Sequence, residues 1–133
     1  MGIILHITKR EQWEEAKLGK TYCGDTLDSE GFIHCSTPTQ VIRVANALFC
    51  AKKGLVILCI ATAKVQPEIR YEGSEGELYP HIYGPLNTDA VIKVLDFEPR
   101  KDGMFTLPKE IANMRREREH RSCELRDKNS IVT

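Results

Sequence analysis

The sequence predicts an α+β domain, and three segments carry the prediction. Leu55–Ala61 is an unbroken apolar run containing Val56 and Ile57, the pattern of a strand buried on both faces. Val91–Phe97 reads as a second clear strand, closed by Pro99. Ahead of both, Val41, Ile42, Val44, Ala45, Leu48 and Phe49 recur at helical spacing and form one wide apolar face. That helix has a strong start signal: Thr37 as N-cap, Pro38 at the first helical position and Gln40 completing a capping box.

The other elements are shorter. Ile3–Ile7 reads as a strand broken by His6. Thr8 and Glu11 have capping-box spacing, so a helix is expected from Thr8 to about Leu18, with Gly19 as its stop. Trp13 fits as the residue that packs this helix on the sheet. Thr21–Glu30 is polar and reads as a loop, and Gly31–Cys35 as a short strand. Ile69–Glu72 is a further strand, Gly73–Gly76 a turn-rich loop, and Leu78–Tyr83 a compact segment rich in His, Tyr and Pro. Asn87 follows a Gly-Pro turn and is placed to cap a short helical turn. Residues 1–100 are expected to form one α+β domain, and 101–133 a charged C-terminal extension, helical from Pro108 to about Arg126 and then frayed. A partner-binding or self-association role is the sharper reading of that extension.

Composition narrows the function classes. The chain has 133 residues, with 19 basic and 19 acidic side chains and a formal net charge of +0. Proteins held mainly by nucleic-acid phosphates are typically basic, so nucleic acid is not the expected partner. No apolar run approaches the ~18 residues of a membrane span. Five cysteines, an odd number with no C-x-x-C, fit reduced thiols and a cytoplasmic location. Cys50 and Cys59 sit in apolar stretches and read as core fillers.

Three histidines mark the candidate site. His6, His34 and His81 lie at strand edges or turns, each near hydroxyls: Thr8, Ser36 with Thr37, and Tyr83. Strands that end at His6 and His34 bring both toward helix starts, where free amides and the helix dipole favour anions. A phosphate or pyrophosphate suits such a place. Among Glu72, Glu75 and Glu77, which read first as solvated acids of a Gly-rich loop, Glu77 is singled out by the apolar segment that follows it. A carboxylate there can accept a ribose hydroxyl or activate a nucleophile. A metal is not expected: His34 and Cys35 are adjacent in a strand and point to opposite faces, and there is no H-x-x-x-H pair.

Three blocks together resemble a known family: Leu5-His6-Ile7-Thr8, Glu30-Gly31-Phe32-Ile33-His34-Cys35-Ser36-Thr37, and Gly76-Glu77-Leu78-Tyr79-Pro80-His81-Ile82-Tyr83-Gly84-Pro85-Leu86. They are similar to the small bacterial and eukaryotic family known as domain of unknown function 952, over roughly residues 3–99. The resemblance implies an ADP-ribosyltransferase-like fold, a small split, twisted, mixed β-sheet with flanking helices. It further implies an NAD or ADP-ribose-type nucleotide-binding protein, with ADP-ribosyl or related phosphate-group transfer as its activity and NAD as its cofactor. Carried over, His6 and Thr8 match the motif that binds the adenine-side ribose. His34 with Ser36 and Thr37 stands at the second position, where His34 replaces the usual Tyr. His81 or Glu77 fills the third, and Tyr83 joins the binding residues. The catalytic set is then His6, His34, Glu77 and His81. The alternative is a non-catalytic module that binds a phosphorylated ligand, an RNA end or a modified protein.

Overall fold

The computed structural model describes residues 2–114. Its first sheet joins β1 (Ile3–Lys9), β4 (Leu55–Ala61) and β8 (Val91–Phe97), with β4 in the centre. A second three-stranded sheet is ordered β3 (Ile33–His34), β6 (Tyr79–Tyr83), β5 (Glu68–Glu72). A small ribbon pairs β2 (Thr21–Tyr22) with β7 (Leu86–Asn87). The helices are α1 (Arg10–Gly19), the short α2 (Leu27–Glu30) and α3 (Val41–Leu48), with 3₁₀ turns at Thr62–Lys64 and Thr88–Ala90. The fold is α+β, with few helices.

Every pairing among the described strands is antiparallel, where a mixed sheet was expected. The reason lies at the end of β1. Arg10 N–H donates to Gly54 O at 3.0 Å, so the chain enters β4 beside the point where it left β1 and must run back along it. The two larger sheets meet at one bridge: Leu5 N–H donates to Ser36 O at 2.7 Å and Ser36 N–H to Leu5 O at 2.8 Å.

Strand β4 is apolar throughout because it has a core on each side. Val56, Leu58 and Ile60 pack with Ile4, Trp13, Tyr22, Ile33 and Ile82. Leu55, Ile57 and Cys59 pack with Leu5, Val41, Ala45, Leu95 and Phe97. Phe105 and Ile111 are buried in this second core, and residues 109–114 are helical. The rest of the expected C-terminal helix, and Cys123, lie outside the described residues. Among those described, no helix is long and apolar enough to cross a membrane.

Several local expectations are corrected. The first helix begins at Arg10 rather than Thr8, and no side chain caps it. Pairing of Thr8 with Val56 and of Lys9 with Leu55 keeps both residues extended. Lys20, not Gly19, takes the left-handed conformation that stops the helix, at φ 65°. Only one half of the second capping box forms: Thr37 N–H donates to Gln40 Oε1 at 3.0 Å, while the Thr37 hydroxyl meets Thr39. The polar stretch read as a loop contains β2 and α2. Asn87 Nδ2 donates to Lys64 O and to Asp89 Oδ1, and no side-chain cap bond forms there. Cys59 is buried, but Cys50 is exposed, because it falls in the turn after α3.

Candidate functional site

A cavity of about 880 Å³ lies between α3 and the junction of the two sheets. One wall carries His6, Thr8, Gln12, Tyr22, His34, Ser36, Glu72 and His81. The other is α3 and its exit, with Arg43, Val44, Ala47, Leu48, Phe49 and Lys52. The wide apolar face of α3 therefore divides: Val41 and Ala45 enter the core, while Leu48 stays 69% exposed at the cavity.

Two pairings bring the histidines together. The bridge between Leu5 and Ser36 sets β1 beside the end of β3, with His6 one residue past it and His34 two residues before it. The register of β3 with β6 puts His34 opposite His81. Strand alternation then turns Ile33 and Ile82 into the core and both histidines out of it.

His6 has both ring nitrogens occupied. Nδ1–H donates to His34 O at 2.5 Å. Nε2 lies 2.7 Å from the Tyr22 hydroxyl. Burial lowers the imidazole from 6.5 to about 4, against the raising effect of the His34 carbonyl. The neutral ring thus keeps its proton on Nδ1, and Tyr22 donates to Nε2. The Tyr22 hydroxyl proton is shared between His6 Nε2 and Thr8 Oγ1, the latter 2.9 Å away; Thr8 donates to Gln12 Oε1 at 2.6 Å, and Gln12 donates to Asp25 at 2.7 Å. Burial also pushes the Tyr22 phenol well above its ordinary value. His6 and Thr8 are therefore bound into the wall, and neither nitrogen of His6 is left for a ligand.

The other two histidines each hold a carboxylate. His34 Nε2 donates to Glu30 Oε2 at 3.0 Å. His81 Nδ1 donates to Glu72 Oε1 at 2.9 Å, and the Tyr83 hydroxyl donates to the same oxygen at 2.5 Å. Hydrogen bonds from Tyr83 and then His81 hold the Glu72 carboxyl below the usual range. Phe32 stacks on His81 with centroids 4.2 Å apart and meets His34 at 4.8 Å. Arg70 lies over the Tyr83 ring, 4.3 Å from its centroid.

Not every expected site residue reaches the cavity. Glu77 accepts from Gln40 Nε2 at 2.6 Å and pairs with Arg43 at 3.1 Å, so it ties the loop before β6 to α3. Thr37 belongs to the turn before α3, and Tyr83 stands behind Glu72. Ser36 lines the cavity, but its backbone is spent on the Leu5 bridge. The first amides of both helices bond within the chain, Arg10 to Gly54 O and Val41 to Thr37 O. Reasoning from sequence missed Gln12, Tyr22, Asp25, Glu30, Phe32 and Arg43, and passed over Glu72 in favour of Glu77. Period-two alternation would have put Arg70 and Glu72 on one face of β5; nothing local marks Tyr22 as a partner of His6. Cys35 is buried and its thiol is pushed up by burial, on the opposite face from exposed His34. No group of three or more His, Cys, Asp or Glu among the described residues is arranged to hold a metal ion.

Comparison with known proteins follows the fold. A crystal structure of protein CC0527 from Caulobacter crescentus is 29% identical, covers 83% of this chain and 98% of that one, and superposes with a TM-score of 0.75. A crystal structure of a double mutant of the same protein gives the same figures. Its solution NMR structure gives a TM-score of 0.70 over 97% of that chain. No curated protein matches this chain. The family model that does match spans residues 7–94, from the strand of His6 to the last strand of the first sheet, and the chain belongs to the family described as protein of unknown function (DUF952).

Proposed function

We propose that the cavity binds an NAD- or ADP-ribose-type nucleotide. The observation that carries this reading is the shared wall: His6, His34 and His81, far apart in sequence, line one cavity opposite Arg43 and Lys52. Its volume falls within the roughly 300–1,000 Å³ of ligand pockets. Val44, Ala47 and Leu48 offer an apolar surface for a base, and the two cations suit a pyrophosphate. The division of the longer strands into two three-stranded sheets joined by one bridge supports an ADP-ribosyltransferase-like reading of the fold. Transfer of ADP-ribose expels nicotinamide from a cation-like ribose, which a fixed carboxylate stabilises. Of the two carboxylates that line the cavity, Asp25 accepts from Gln12 and Glu72 stands beside His81, while Glu77 is committed to α3.

That commitment also favours a second reading, a non-catalytic module for a phosphorylated ligand. One experiment separates the two. The protein and its Arg43→Ala variant are titrated with NAD, ADP-ribose and nicotinamide while melting is followed. A ligand at about 100 times its Kd stabilises by roughly 2.7 kcal/mol, which at about 2–8 °C per kcal/mol raises the melting point by about 5–20 °C. The expected result is a shift with NAD and ADP-ribose that Arg43→Ala reduces. No shift with either nucleotide sinks the first reading and sends the search to other phosphorylated ligands.

A further inference from the structure

His34 and His81 face each other across paired strands, and each is held by a carboxylate of its own. Their rings meet edge to face with centroids 5.1 Å apart. The carboxylates hold opposite nitrogens: Glu30 takes His34 Nε2–H, and Glu72 takes His81 Nδ1–H. A carboxylate on one nitrogen fixes the tautomer and leaves the other nitrogen to exchange protons. Those remaining nitrogens are His34 Nδ1 and His81 Nε2. Neither takes a protein partner among the described residues, and both side chains line the cavity.

Two such histidines exceed what release of nicotinamide requires. Nicotinamide departs as a neutral molecule and needs no proton. An alkoxide is a poor leaving group and does need one, while its displacement by a hydroxyl requires a base. One proton taken and another given is the work of two separately held imidazoles. Depth divides the roles. The His81 side chain is 12% exposed and stacked on Phe32, whereas that of His34 is 49% exposed at the mouth, where a leaving group departs.

We infer that His81 and His34 form an acid–base pair that cleaves the phosphodiester of a short ribonucleotide at its 2′-hydroxyl. His81 Nε2 removes the 2′-hydroxyl proton, the O2′–P bond forms, the P–O5′ bond breaks, and His34 Nδ1–H protonates the departing 5′ oxygen. The products are a 2′,3′-cyclic phosphate and a free 5′-hydroxyl. His81 ends with the proton that His34 has lost, and exchange with solvent resets both. Glu72 and Glu30 are positioning residues. Arg43 and Lys52 line the same cavity and suit the phosphate. A net charge of +0 suits a short substrate better than a long strand. The inference rests on the cavity taking a ribonucleotide and adds an activity to it.

The test uses the full chain and two substrates. One is the dinucleotide uridylyl-3′,5′-adenosine. The other is uridine 3′-(p-nitrophenyl phosphate), whose phenolate leaves without a proton. The protein is expected to convert both to the cyclic phosphate. His81→Gln is expected to lose about 10²–10⁴-fold on both. His34→Gln is expected to lose as much on the dinucleotide and to keep its rate on the nitrophenyl ester. Glu30→Gln should show the same substrate split more weakly, a signature that a merely structural defect would not produce. Should His81→Gln fail to fold, the exposed His34 and Glu30 variants carry the test. Failure of the protein to cleave either substrate overturns the inference, as does activity that persists in the doubly substituted protein purified in the same way. Equal loss on both substrates in His34→Gln also overturns it. A melting shift with NAD but no cleavage leaves the nucleotide pocket standing and removes this activity alone.

Discussion

Gln40 Nε2 donates to Glu77 Oε2 at 2.6 Å and so fastens the start of α3 to the loop between β5 and β6. The same amide donates to Leu78 O at 2.7 Å, and its oxygen accepts from Thr37 N–H. Gln40 is 5% exposed, so water does not replace these bonds when the side chain is lost. Gln40→Ala is expected to destabilise the fold by about 1–3 kcal/mol. Urea unfolding should show a lower midpoint with an unchanged slope.

Gly73 begins the same loop and lines the cavity. A Cβ there would overlap the Glu77 carbonyl oxygen, which is backbone and cannot swing aside. Gly73→Ala is expected to cost about 1–3 kcal/mol and to displace Glu72, its neighbour in sequence. A melting point equal to that of the parent protein would contradict this.

His6 links stability to pH. Its folded value is about 4 against an ordinary 6.5, with burial the main cause. Between these values the unfolded chain binds the proton and the folded one does not, so stability rises with pH across this window. The contribution is complete above about pH 6.5 and is lost as pH falls toward 4. The window from 6.5 to about 4 corresponds to roughly 3 kcal/mol. Unfolding free energies measured from pH 7 to pH 4 should fall more steeply for the parent protein than for His6→Gln. An NMR titration should find the His6 ring neutral at pH 5.5, with its proton on Nδ1.

Ile57 is fully buried at the centre of β4 and packs into the second core. Ile57→Ala is expected to cost about 2–5 kcal/mol, a large part of the stability of a domain this size. Calorimetry would register the loss as a lower melting temperature.

Local pattern predicted the elements that are determined locally. The run from Leu55 to Ala61 reads as a strand with two buried faces, and it packs between two cores. The spacing from Val41 to Phe49 could only be helical, although it did not say that Leu48 would face a cavity instead of the core. The histidines were found by their settings. What each one does was not legible, because it depends on partners brought in by pairing between distant segments. His6 is neutral and fully engaged because of Tyr22 and the His34 carbonyl. Glu72 and Glu77 look alike in a Gly-rich stretch, and only the register of β5 with β6 and the approach of Gln40 separate them. Thr8 shows the reverse case: a sound local capping signal lost to strand pairing with Val56.

The order in which the strands emerge during synthesis adds one more consequence. Strand β1 is made first, yet Ile3 pairs with Ala61 and Lys9 with Leu55, so its partner does not exist until tens of residues later. At about 5–20 residues per second, the wait lasts several seconds. Throughout it, Ile3, Ile4, Leu5 and Ile7 have no sheet to join. Since β8, which completes that sheet on the far side of β4, comes later still, the nascent chain carries an unpaired apolar strand until β4 is made. The translation rate between β1 and β4 therefore sets how long a chaperone has reason to hold it.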